Sequence, residues 1–239
     1  MKKIAILNID MEVNGFNSTL YPVIVSDDQE MVLFDCGHKG ALNQLSDSAF
    51  LNGFDLNKLT KVVITHHDHD HMGGLADLKR EYPWVKVYAS AIEAEYIRGH
   101  IKSVRLQQAE EQLESLPEDQ KQHAQKRIAM LRLIEPVDVD EVLEDGDILD
   151  VCGGIEVVAT PGHMPGHISM YIRQLKTMVA GDALVVADGK LYRANPRFTL
   201  DKDGAYTSAR RFINYAIDTL VCYHGGAISE NIKESLENL

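Results

Sequence analysis

The sequence is most informative at Thr65-His66-His67-Asp68-His69-Asp70-His71-Met72-Gly73-Gly74, which directly follows an apolar run at 62–64. Four histidines and two aspartates occupy the six positions 66–71. Both residue types offer lone pairs at neutral pH, as metal ligands must. A loop at a strand end can direct several of them to one point, and the paired glycines suit a close backbone approach or a left-handed turn. The segment therefore predicts a metal site. A solvated histidine-rich loop is the alternative, and it would explain neither the strand nor the glycines.

Three later residues fit the same centre, because each has a metal-ligating side chain and follows a predicted strand. They are His163, in Thr160-Pro161-Gly162-His163, Asp182, after Ala180-Gly181, and His224, after Val221-Cys222-Tyr223. Taken singly, each would be an ordinary turn residue more often than a ligand. Ligand-type residues that follow four successive strands are hard to explain by packing alone, so we expect all four segments to lie at the same end of their strands.

The composition narrows the class of protein. The 239 residues are 45% apolar and 25% charged, as in ordinary globular chains, and we predict a single domain over 1–239. The 24 basic and 36 acidic residues give a net charge of −12, which disfavours nucleic-acid and anionic-membrane partners. Cys36, Cys152 and Cys222 show no CxxC pairing, and neither a spanning helix nor a secretory signal is apparent, so we expect a cytoplasmic protein.

Strands and helices are predicted from the spacing of apolar residues. Apolar runs predict strands at 4–9, 20–25, 31–34, 62–64, 85–88, 148–151, 155–159, 169–172, 178–180 and 220–223, and helical spacing is found at 41–50, 72–81 and 201–217. Residues 90–134 differ from both halves around them. They are rich in Glu, Gln, Lys, Arg and Ala, with apolar residues spaced as on amphipathic helices, and we interpret them as a helical insert.

This set of motifs resembles the metallo-β-lactamase-fold hydrolases. The resemblance rests on the 65–74 segment, on Thr160-Pro161-Gly162-His163 with His167, on Gly181-Asp182 and on His224, and Phe34-Asp35-Cys36-Gly37 is similar to an early element of the family. It extends from about residue 20 to 226. It implies an α/β (α+β) fold, an αββα sandwich in which two mixed β-sheets face each other, helices cover the outside, and a dinuclear metal site lies at one edge.

The family pattern implies roles for individual residues. The first metal would take His66, Asp68 and His163, the second would take Asp70, His71 and His224, and Asp182 would bridge the two. Asp70 would also act in catalysis, by orienting the attacking water and receiving its proton. Asp35 would support the histidine loop from behind the ligands, and His167 would hold a ligand or meet the substrate. His67 and His69 fall at variable positions and are not counted as ligands.

One residue departs from the common family pattern, His-X-His-X-Asp-His, because position 68 is an aspartate. Asp68 would place a third carboxylate beside Asp70 and Asp182. We expect two divalent ions, zinc first, with iron or manganese more favoured than at a site with an imidazole here. The added negative charge should make bound water less acidic. The flavodiiron branch of the fold also has an acidic residue at this position, so a di-iron redox or sensor module stays open as an alternative.

The predicted reaction is hydrolysis. Two divalent ions that share a water lower its pKa from about 15.7 toward about 7, and the resulting hydroxide would attack an ester-type carbonyl. A small lactone or thioester is the favoured substrate, and a phosphodiester is an alternative. Fifteen residues, 225–239, follow His224, so we do not expect the helical glutathione-binding domain of glyoxalase-II-type thioesterases. A non-catalytic member of the fold is a third alternative, and the presence of the full ligand set disfavours it.

The expected partner is a small molecule, and a homodimer stays open. The insert at 90–134 is either a solvated helix pair on the core or one wall of the substrate pocket, where its apolar face would be covered. It begins with a basic stretch, Arg98, His100, Lys102 and Arg105. This stretch could meet an anionic group of the substrate, but a solvated helix face is the favoured interpretation.

Overall fold

The strands and helices were located in a computed structural model, which describes residues 2–13 and 15–239. Met1, with which the predicted domain begins, and Asn14 lie outside the described residues. The strands are β1 Lys3–Ile6, β2 Ile9–Val13, β3 Phe16–Leu20, β4 Val23–Ser26, β5 Met31–Phe34, β6 Lys61–Val63, β7 Lys86–Ser90, β8 Glu141–Leu143, β9 Ile148–Leu149, β10 Ile155–Ala159, β11 Ile168–Ile172, β12 Thr177–Gly181, β13 Leu184–Ala187, β14 Lys190–Arg193, β15 Thr219–Cys222 and β16 Gly226–Ile228. The helices are α1 Leu42–Leu51, α2 Leu75–Glu81, α3 Ala91–Ile97, α4 Val104–Leu113, α5 Glu118–Leu131, α6 Lys202–Arg210 and α7 Ile232–Glu237.

Most of these strands belong to two mixed sheets. Within the described residues, one six-stranded sheet has the order β1-β4-β5-β6-β7-β8 and the other has the order β16-β15-β12-β11-β10-β9. In the first sheet β5, β6, β7 and β8 are parallel neighbours, while β1 and β4 pair antiparallel. In the second sheet β12 and β15 are parallel and the other pairs are antiparallel. The β2-β3 and β13-β14 pairs form separate hairpins.

Apolar side chains fill the space between the sheets and the space outside each of them. Phe34 of the first sheet and Val221 of the second belong to the core between the sheets. On the other face of the first sheet, the core includes Leu33 and the helical residues Leu45, from α1, and Leu75, from α2. On the other face of the second sheet, strand residues of β12 and β15 pack with residues of α6 and α7. The layers are therefore helix, sheet, sheet and helix, which confirms the predicted αββα sandwich.

The insert region and the C-terminal part differ in detail from the sequence prediction. Residues 91–131 hold three helices, α3, α4 and α5, between β7 and β8. The helix predicted over 201–217 ends at Arg210 and continues as a 3-10 turn, Arg211–Asn214. The predicted strand at 4–9 is divided, since β1 ends at Ile6 and β2 begins at Ile9. The strands that were not predicted are β2, β3, β8, β13, β14 and β16. Of these, β8 and β14 have mostly exposed side chains and no apolar run. Among the described helices, none has the length and apolar character that crossing a membrane requires.

Candidate metal centre

The predicted ligands come from four loops that follow β6, β10, β12 and β15. Since β12 and β15 are parallel neighbours, Asp182 and His224 leave adjacent strand ends. The side chains of all seven predicted ligands converge into three overlapping groups: His66 with Asp68 and His163, His66 with His71 and Asp182, and Asp70 with His71 and His224. In each group the donor atoms lie within 4.8 Å of one another. The structure thus brings together every residue that the sequence proposed as a ligand.

The double glycine after the histidines allows the loop to pack closely on the chain after β5. A Cβ atom on Gly73 would lie 2.1 Å from the carbonyl oxygen of His69, and one on Gly74 would lie 2.5 Å from that of Cys36. Neither distance is sterically possible for a side chain. The glycines are therefore needed for a close backbone approach, the first of the two explanations that the sequence offered.

The first group has the spacing expected of atoms bound to one ion. The Oδ2 atom of Asp68 is 3.1 Å from Nε2 of His163 and 3.5 Å from Nε2 of His66. Ligand atoms that sit at about 2.1 Å from a shared ion are about 3.0–3.5 Å apart in tetrahedral or octahedral arrangements. All three side chains are buried. The spacing of these atoms is therefore compatible with a shared ion.

The group formed by Asp70, His71 and His224 has similar spacing, and Asp182 lies between this group and the first one. Nε2 of His224 is 3.3 Å from Oδ2 of Asp70 and 3.4 Å from Oδ2 of Asp182. Oδ1 of Asp182 is 3.3 Å from Nε2 of His71, and Oδ2 is 3.5 Å from Nε2 of His163. The carboxylate of Asp182 thus faces ligands of both groups.

Buried atoms without partners test whether a metal fits here. Nε2 of His66, Nε2 of His71 and Oδ1 of Asp182 are buried and have no hydrogen-bond partner among the described residues. Buried polar atoms are nearly always satisfied, and an exception calls for an explanation such as an ion. These three atoms are lone-pair donors that face one another. A divalent cation would satisfy all of them, so the residues fit a metal.

Asp35 and Thr65 orient two of the histidines. Asp35 adopts a left-handed φ of 60°, and its carboxylate accepts hydrogen bonds from the Thr65 amide (2.8 Å) and the Thr65 hydroxyl (2.8 Å). The same carboxylate accepts from Nδ1 of His71 at 2.8 Å. Since the Thr65 hydroxyl donates to Asp35, it accepts from Nδ1 of His66 at 3.1 Å. In both histidines the Nδ1 atom is occupied, so Nε2 is the atom available to a metal.

His167 supports Asp182 through the backbone. Its Nε2 atom accepts the Asp182 amide at 3.0 Å, so its Nδ1 atom donates to the Thr160 hydroxyl at 2.8 Å. Both ring nitrogens are therefore used, and the ring does not face the cavity as a ligand. Burial and the charges of His66 and His163 hold the pKa of His167 well below its ordinary value, which agrees with a neutral ring.

Arg105 binds the aspartate that departs from the family pattern. Its Nε atom donates to Oδ1 of Asp68 at 2.9 Å, and its Nη2 atom donates to Oδ2 at 2.8 Å. Nη2 also donates to the carbonyl of Phe198 at 2.6 Å, and the side chain is 4% exposed. The favoured interpretation of the basic stretch as a solvated helix face is therefore wrong for Arg105, although Lys102 and His100 are exposed. The guanidinium offsets the negative charge of Asp68, which the sequence alone left uncompensated.

Charges within the cluster shift its ionisation strongly. Burial alone would raise the pKa of Asp70 and of Asp182, but neighbouring histidines hold both well below the ordinary value. Asp68 behaves in the same way, with Arg105 contributing. Burial would lower the pKa of His224, but Asp182 and Asp70 raise it to about 10. The carboxylates are therefore ionised at neutral pH, and an ion that binds must displace protons from histidine.

His67 and Glu93 join two of the metal loops. Nδ1 of His67 donates to Oε2 of Glu93 at 2.5 Å, and the His67 amide donates to the same oxygen at 2.8 Å. Oε1 of Glu93 accepts the amide of Gly166, in the loop of His163, at 2.9 Å. The ring of His67 stacks on Tyr96 with centroids 4.0 Å apart. His67 therefore points away from the metal groups, which agrees with its variable position in the pattern.

A cavity of about 320 Å³ lies over the ligands. Ligands on one side include Asp70, Asp182 and His224. Arg105 and Arg127, both from the insert, also line it. The remaining lining residues are His69, Leu184, Val185, Ala194, Asn195 and Phe198. The insert thus forms part of the wall, one of the two arrangements that the sequence left open.

The sequence reasoning missed Glu93 and Arg127, and it named Arg105 only as part of a basic stretch, without its contact with Asp68. Arg105 is the one residue of α4 that is buried among those described, and it lies on a helix whose apolar residues gave the stronger pattern. Its polar partners, Asp68 and the carbonyl of Phe198, are distant in sequence. Charged side chains on an amphipathic helix usually face solvent, so no local signal marked these three.

Comparison with known proteins identifies the class. Residues 17–224 match the family model of the metallo-beta-lactamase superfamily. The fold is similar to that of a metallo-beta-lactamase family protein from Thermus thermophilus, with a TM-score of 0.70 and 21% identity over 98% of this chain and 77% of the other. It is also similar to an archaeal superfamily protein from Sulfolobus tokodaii, with a TM-score of 0.67 and 22% identity over 98% of this chain and 85% of the other.

Two named relatives are similar in sequence. The hydroxyacylglutathione hydrolase of Yersinia pestis (strain Pestoides F) is 26% identical over 163 residues, which are 67% of this chain and 45% of that protein. The chain thus spans less than half the length of that relative. The probable metallo-hydrolase YflN of Bacillus subtilis (strain 168) is 25% identical over 235 residues, covering 90% of this chain and 83% of that protein.

The protein belongs to the metallo-beta-lactamase superfamily, since the family model matches most of its length. This confirms the resemblance seen in the sequence. The two relatives are named as a hydroxyacylglutathione hydrolase and a probable metallo-hydrolase, and the His and Asp groups of this chain could hold metal.

Proposed function

We propose that the chain is a dinuclear metal-dependent hydrolase that cleaves an ester-type bond in a small molecule. The observation that carries the proposal is the position of Asp182, whose carboxylate faces ligands of both groups. Its Oδ1 atom lies 3.3 Å from Nε2 of His71, and its Oδ2 atom lies 3.4 Å from Nε2 of His224 and 3.5 Å from Nε2 of His163. A single carboxylate that reaches both groups suits a bridge between two ions. When bound, such ions supply Lewis acidity and a water of lowered pKa.

The residues of the chain would then orient the reaction. Asp70 lines the cavity and lies 3.3 Å from His224, so its carboxylate is placed to orient the attacking water, and we assign it the proton of that water. Asp35 and Thr65 keep His71 and His66 in the orientation that a metal requires. Arg105 holds both oxygens of Asp68 and so fixes that ligand in one rotamer.

A thioester or a lactone is the substrate class that we favour. The cavity combines the ligand groups with apolar surface from Leu184, Val185 and Phe198, which suits an acyl chain. Hydroxyacylglutathione, which the name of the Yersinia pestis relative specifies, is an acyl thioester. The net charge of −12 continues to predict a small-molecule partner and no nucleic acid.

The test combines metal analysis with a substrate screen. Elemental analysis of the purified protein should give about two metals per chain, and the metal-loaded protein should hydrolyse at least one of a lactone, a thioester or a phosphodiester. Chelation should abolish the activity, and added zinc, manganese or iron should restore it. A metal-free protein with full activity would overturn the proposal.

A di-iron redox or sensor module is the second candidate. Three carboxylates, Asp68, Asp70 and Asp182, belong to the ligand groups, and hard oxygen donors favour iron or manganese more than imidazole does. An oxidised iron pair absorbs in the near-ultraviolet and visible range, whereas a zinc pair does not. A coloured protein that retains iron and hydrolyses none of the three substrates would favour this candidate.

A further inference from the structure

The cavity over the ligand groups contains a second feature, a cationic wall that hydrolysis itself does not require. The insert supplies Arg105 from α4 and Arg127 from α5 to this wall. The two arginines differ in their partners. Arg105 is fully engaged by Asp68 and by the carbonyl of Phe198. Arg127 is half-buried and has no hydrogen bond or ion pair within the part of the chain that the structure describes.

Four other cations of the insert have carboxylate partners, and Lys126, which has none among the described residues, is exposed. Arg98 pairs with Glu95, Lys102 and Arg132 pair with Glu110, and Lys121 pairs with Glu118. Those pairs lie on exposed or partly exposed surface, where a partner contributes little. Of the two described arginines that line the cavity, where a partner would matter more, Arg105 has a carboxylate partner and Arg127 has none.

The neighbours of Arg127 make its position costly. Burial lowers its pKa, and the charges of Arg105 and Arg197 lower it further. Asp68 acts in the opposite direction, but both of its oxygens already bind Arg105. A buried charge without a partner is unfavourable. The chain has 36 acidic residues and 24 basic ones, so a shortage of carboxylates does not explain the arrangement.

Asn195 adds a second polar group to the same wall. Its Oδ1 atom accepts the amide of Arg197 at 3.0 Å, so its Nδ2 amide is the group that can donate to a ligand. A guanidinium and an amide donor that line the same cavity suit a carboxylate, because the planar fork of arginine binds both oxygens of that group. Arg197, whose charge also acts on Arg127, is exposed and does not line the cavity. One half-buried guanidinium inside the cavity balances one negative charge, which favours a carboxylate over a doubly charged phosphate.

We propose that the wall formed by Arg127 and Asn195 binds a carboxylate of the substrate, so that the protein acts on acyl compounds with a free carboxylate distant from the bond that is cleaved. The inference rests on the proposed hydrolase function for its reaction, but it concerns a separate part of the cavity. The apolar residues Leu184, Val185 and Phe198 would contact the chain between the two ends of such a substrate.

Binding is tested first, on the metal-loaded protein, with adipate and hexanoate. Both acids have six carbons and both offer one carboxylate to the metals, so the difference between their Kd values isolates the second carboxylate. We expect adipate to bind at least tenfold more tightly to the wild type. Arg127→Gln should bring the two Kd values within about twofold, and Arg127→Lys should restore part of the preference. Lys126→Gln is the matched control, because Lys126 is the exposed neighbour on the same helix.

Hydrolysis is tested with the corresponding esters, mono-4-nitrophenyl adipate and 4-nitrophenyl hexanoate. The ratio of their kcat/KM values should exceed about ten in the wild type and in Lys126→Gln, and it should fall to about one in Arg127→Gln. Thermal unfolding provides a further measurement. Since Arg127 lacks a partner, Arg127→Gln should unfold at the same temperature as the wild type or above it, whereas a purely structural arginine would leave a less stable protein.

The outcomes separate this proposal from the hydrolase function. Equal binding of adipate and hexanoate by the wild type, or an adipate preference that survives in Arg127→Gln, would overturn the carboxylate site even if both esters are hydrolysed. If the metal-loaded protein hydrolyses neither ester and none of the lactone, thioester and phosphodiester substrates, but adipate still binds in a manner that requires Arg127, the site stands and the hydrolase function fails.

Discussion

The strand-end loops and the helical insert both reach the cavity, but they contribute different things to it. The loops supply the donor atoms, with seven His and Asp side chains in three groups whose atoms lie within 4.8 Å of one another. The insert supplies groups that act on those loops or on the cavity. Glu93 joins the loops of His66 and His163, Arg105 binds Asp68, and Arg127 lines the cavity wall.

The difference shows which parts of a site can be recognised in one sequence. Few residue types bind metals. Six consecutive residues of these types after an apolar strand therefore have few explanations other than a metal site. Arginine and glutamate on an amphipathic helix have many uses. Their role depends on how the helix docks, which a local pattern does not specify. The loops define the chemistry of this site, and the insert adjusts its charge and its selectivity.

The largest effect is expected from the loops. His71→Ala should lose metal and reduce activity by at least about a hundredfold, because Nε2 of His71 faces Asp182 and has no other partner among the described residues. Chelation of the wild type should have a similar effect. Metal content by elemental analysis and kcat/KM on the best substrate measure both.

His69→Ala is the comparison for that experiment, since it removes a histidine from the same loop that belongs to none of the three ligand groups. It should retain metal and lose far less activity than His71→Ala. Equal losses in the two variants would mean that the ligand assignment is wrong.

A smaller effect is expected at the contact between the two regions, Arg105 with Asp68. Arg105→Gln should weaken metal retention by about tenfold, as changes to residues that hold a ligand usually do. It should also move the pH–rate profile to higher pH, because an uncompensated carboxylate leaves less positive charge on the metal and the attacking water becomes less acidic. Lys102→Gln removes an exposed cation of the same stretch, and it should change neither the metal retention nor the pH–rate profile.

Asp68→His alone would not be a clean test of the departure from the family pattern. It would leave Arg105 buried without its carboxylate partner, which is unfavourable in itself. The double substitution Asp68→His with Arg105→Gln removes both charges. It should bind zinc more tightly than Arg105→Gln does, and its pH–rate profile should lie at lower pH. Identical profiles in the two variants would show that residue 68 does not bind metal.

The next smaller effect is expected on the stability of the fold, at Glu93. Glu93→Gln should reduce the free energy of unfolding by about 1–3 kcal/mol, because a buried carboxylate that accepts three hydrogen bonds is replaced by a group with one acceptor. Burial raises the pKa of Glu93, but His67 brings it below the ordinary 4.5. Its contribution is therefore present above pH 4.5 and is lost as the pH falls through the lower folded value.

Denaturant unfolding at pH 7 and at acid pH measures this effect on the metal-free protein. The difference between wild type and Glu93→Gln should shrink as the pH falls below 4.5. Glu95→Gln is the control, because Glu95 lies on the same helix but contacts the exposed Arg98 and His100. It should change stability by less than about 0.5 kcal/mol. Equal losses for both variants would mean that Glu93 does not brace the loops.

Much of the fold could be predicted from the sequence. As with the ligands, the reason is that a local pattern of residue types has few explanations. Strands such as β10 and β12 are buried apolar runs, and periodicity identifies such runs. Strand β8 and the break after α6 could not be predicted, because their side chains give no such pattern. At the site, Asp68 was recognised as a departure, but the compensating charge of Arg105 was not, since it lies 37 positions away on a helix whose docking the sequence does not specify.

The smallest effect is expected at the tip of the insert. Residues 112–120 join the end of α4 to the start of α5, and their side chains are exposed or half-exposed. Replacing this segment with a short Gly/Asn turn would keep Arg105, Arg127 and the Glu110–Arg132 ion pair. We expect unchanged metal content, the same ranking of substrates and a kcat/KM within about threefold of the wild type, because the insert acts through the residues near its base. Circular dichroism would verify that the shortened protein folds. A folded, metal-loaded variant with a changed ranking of substrates would show that the tip also covers the cavity. The contribution of the insert would then not be limited to a few residues near its base.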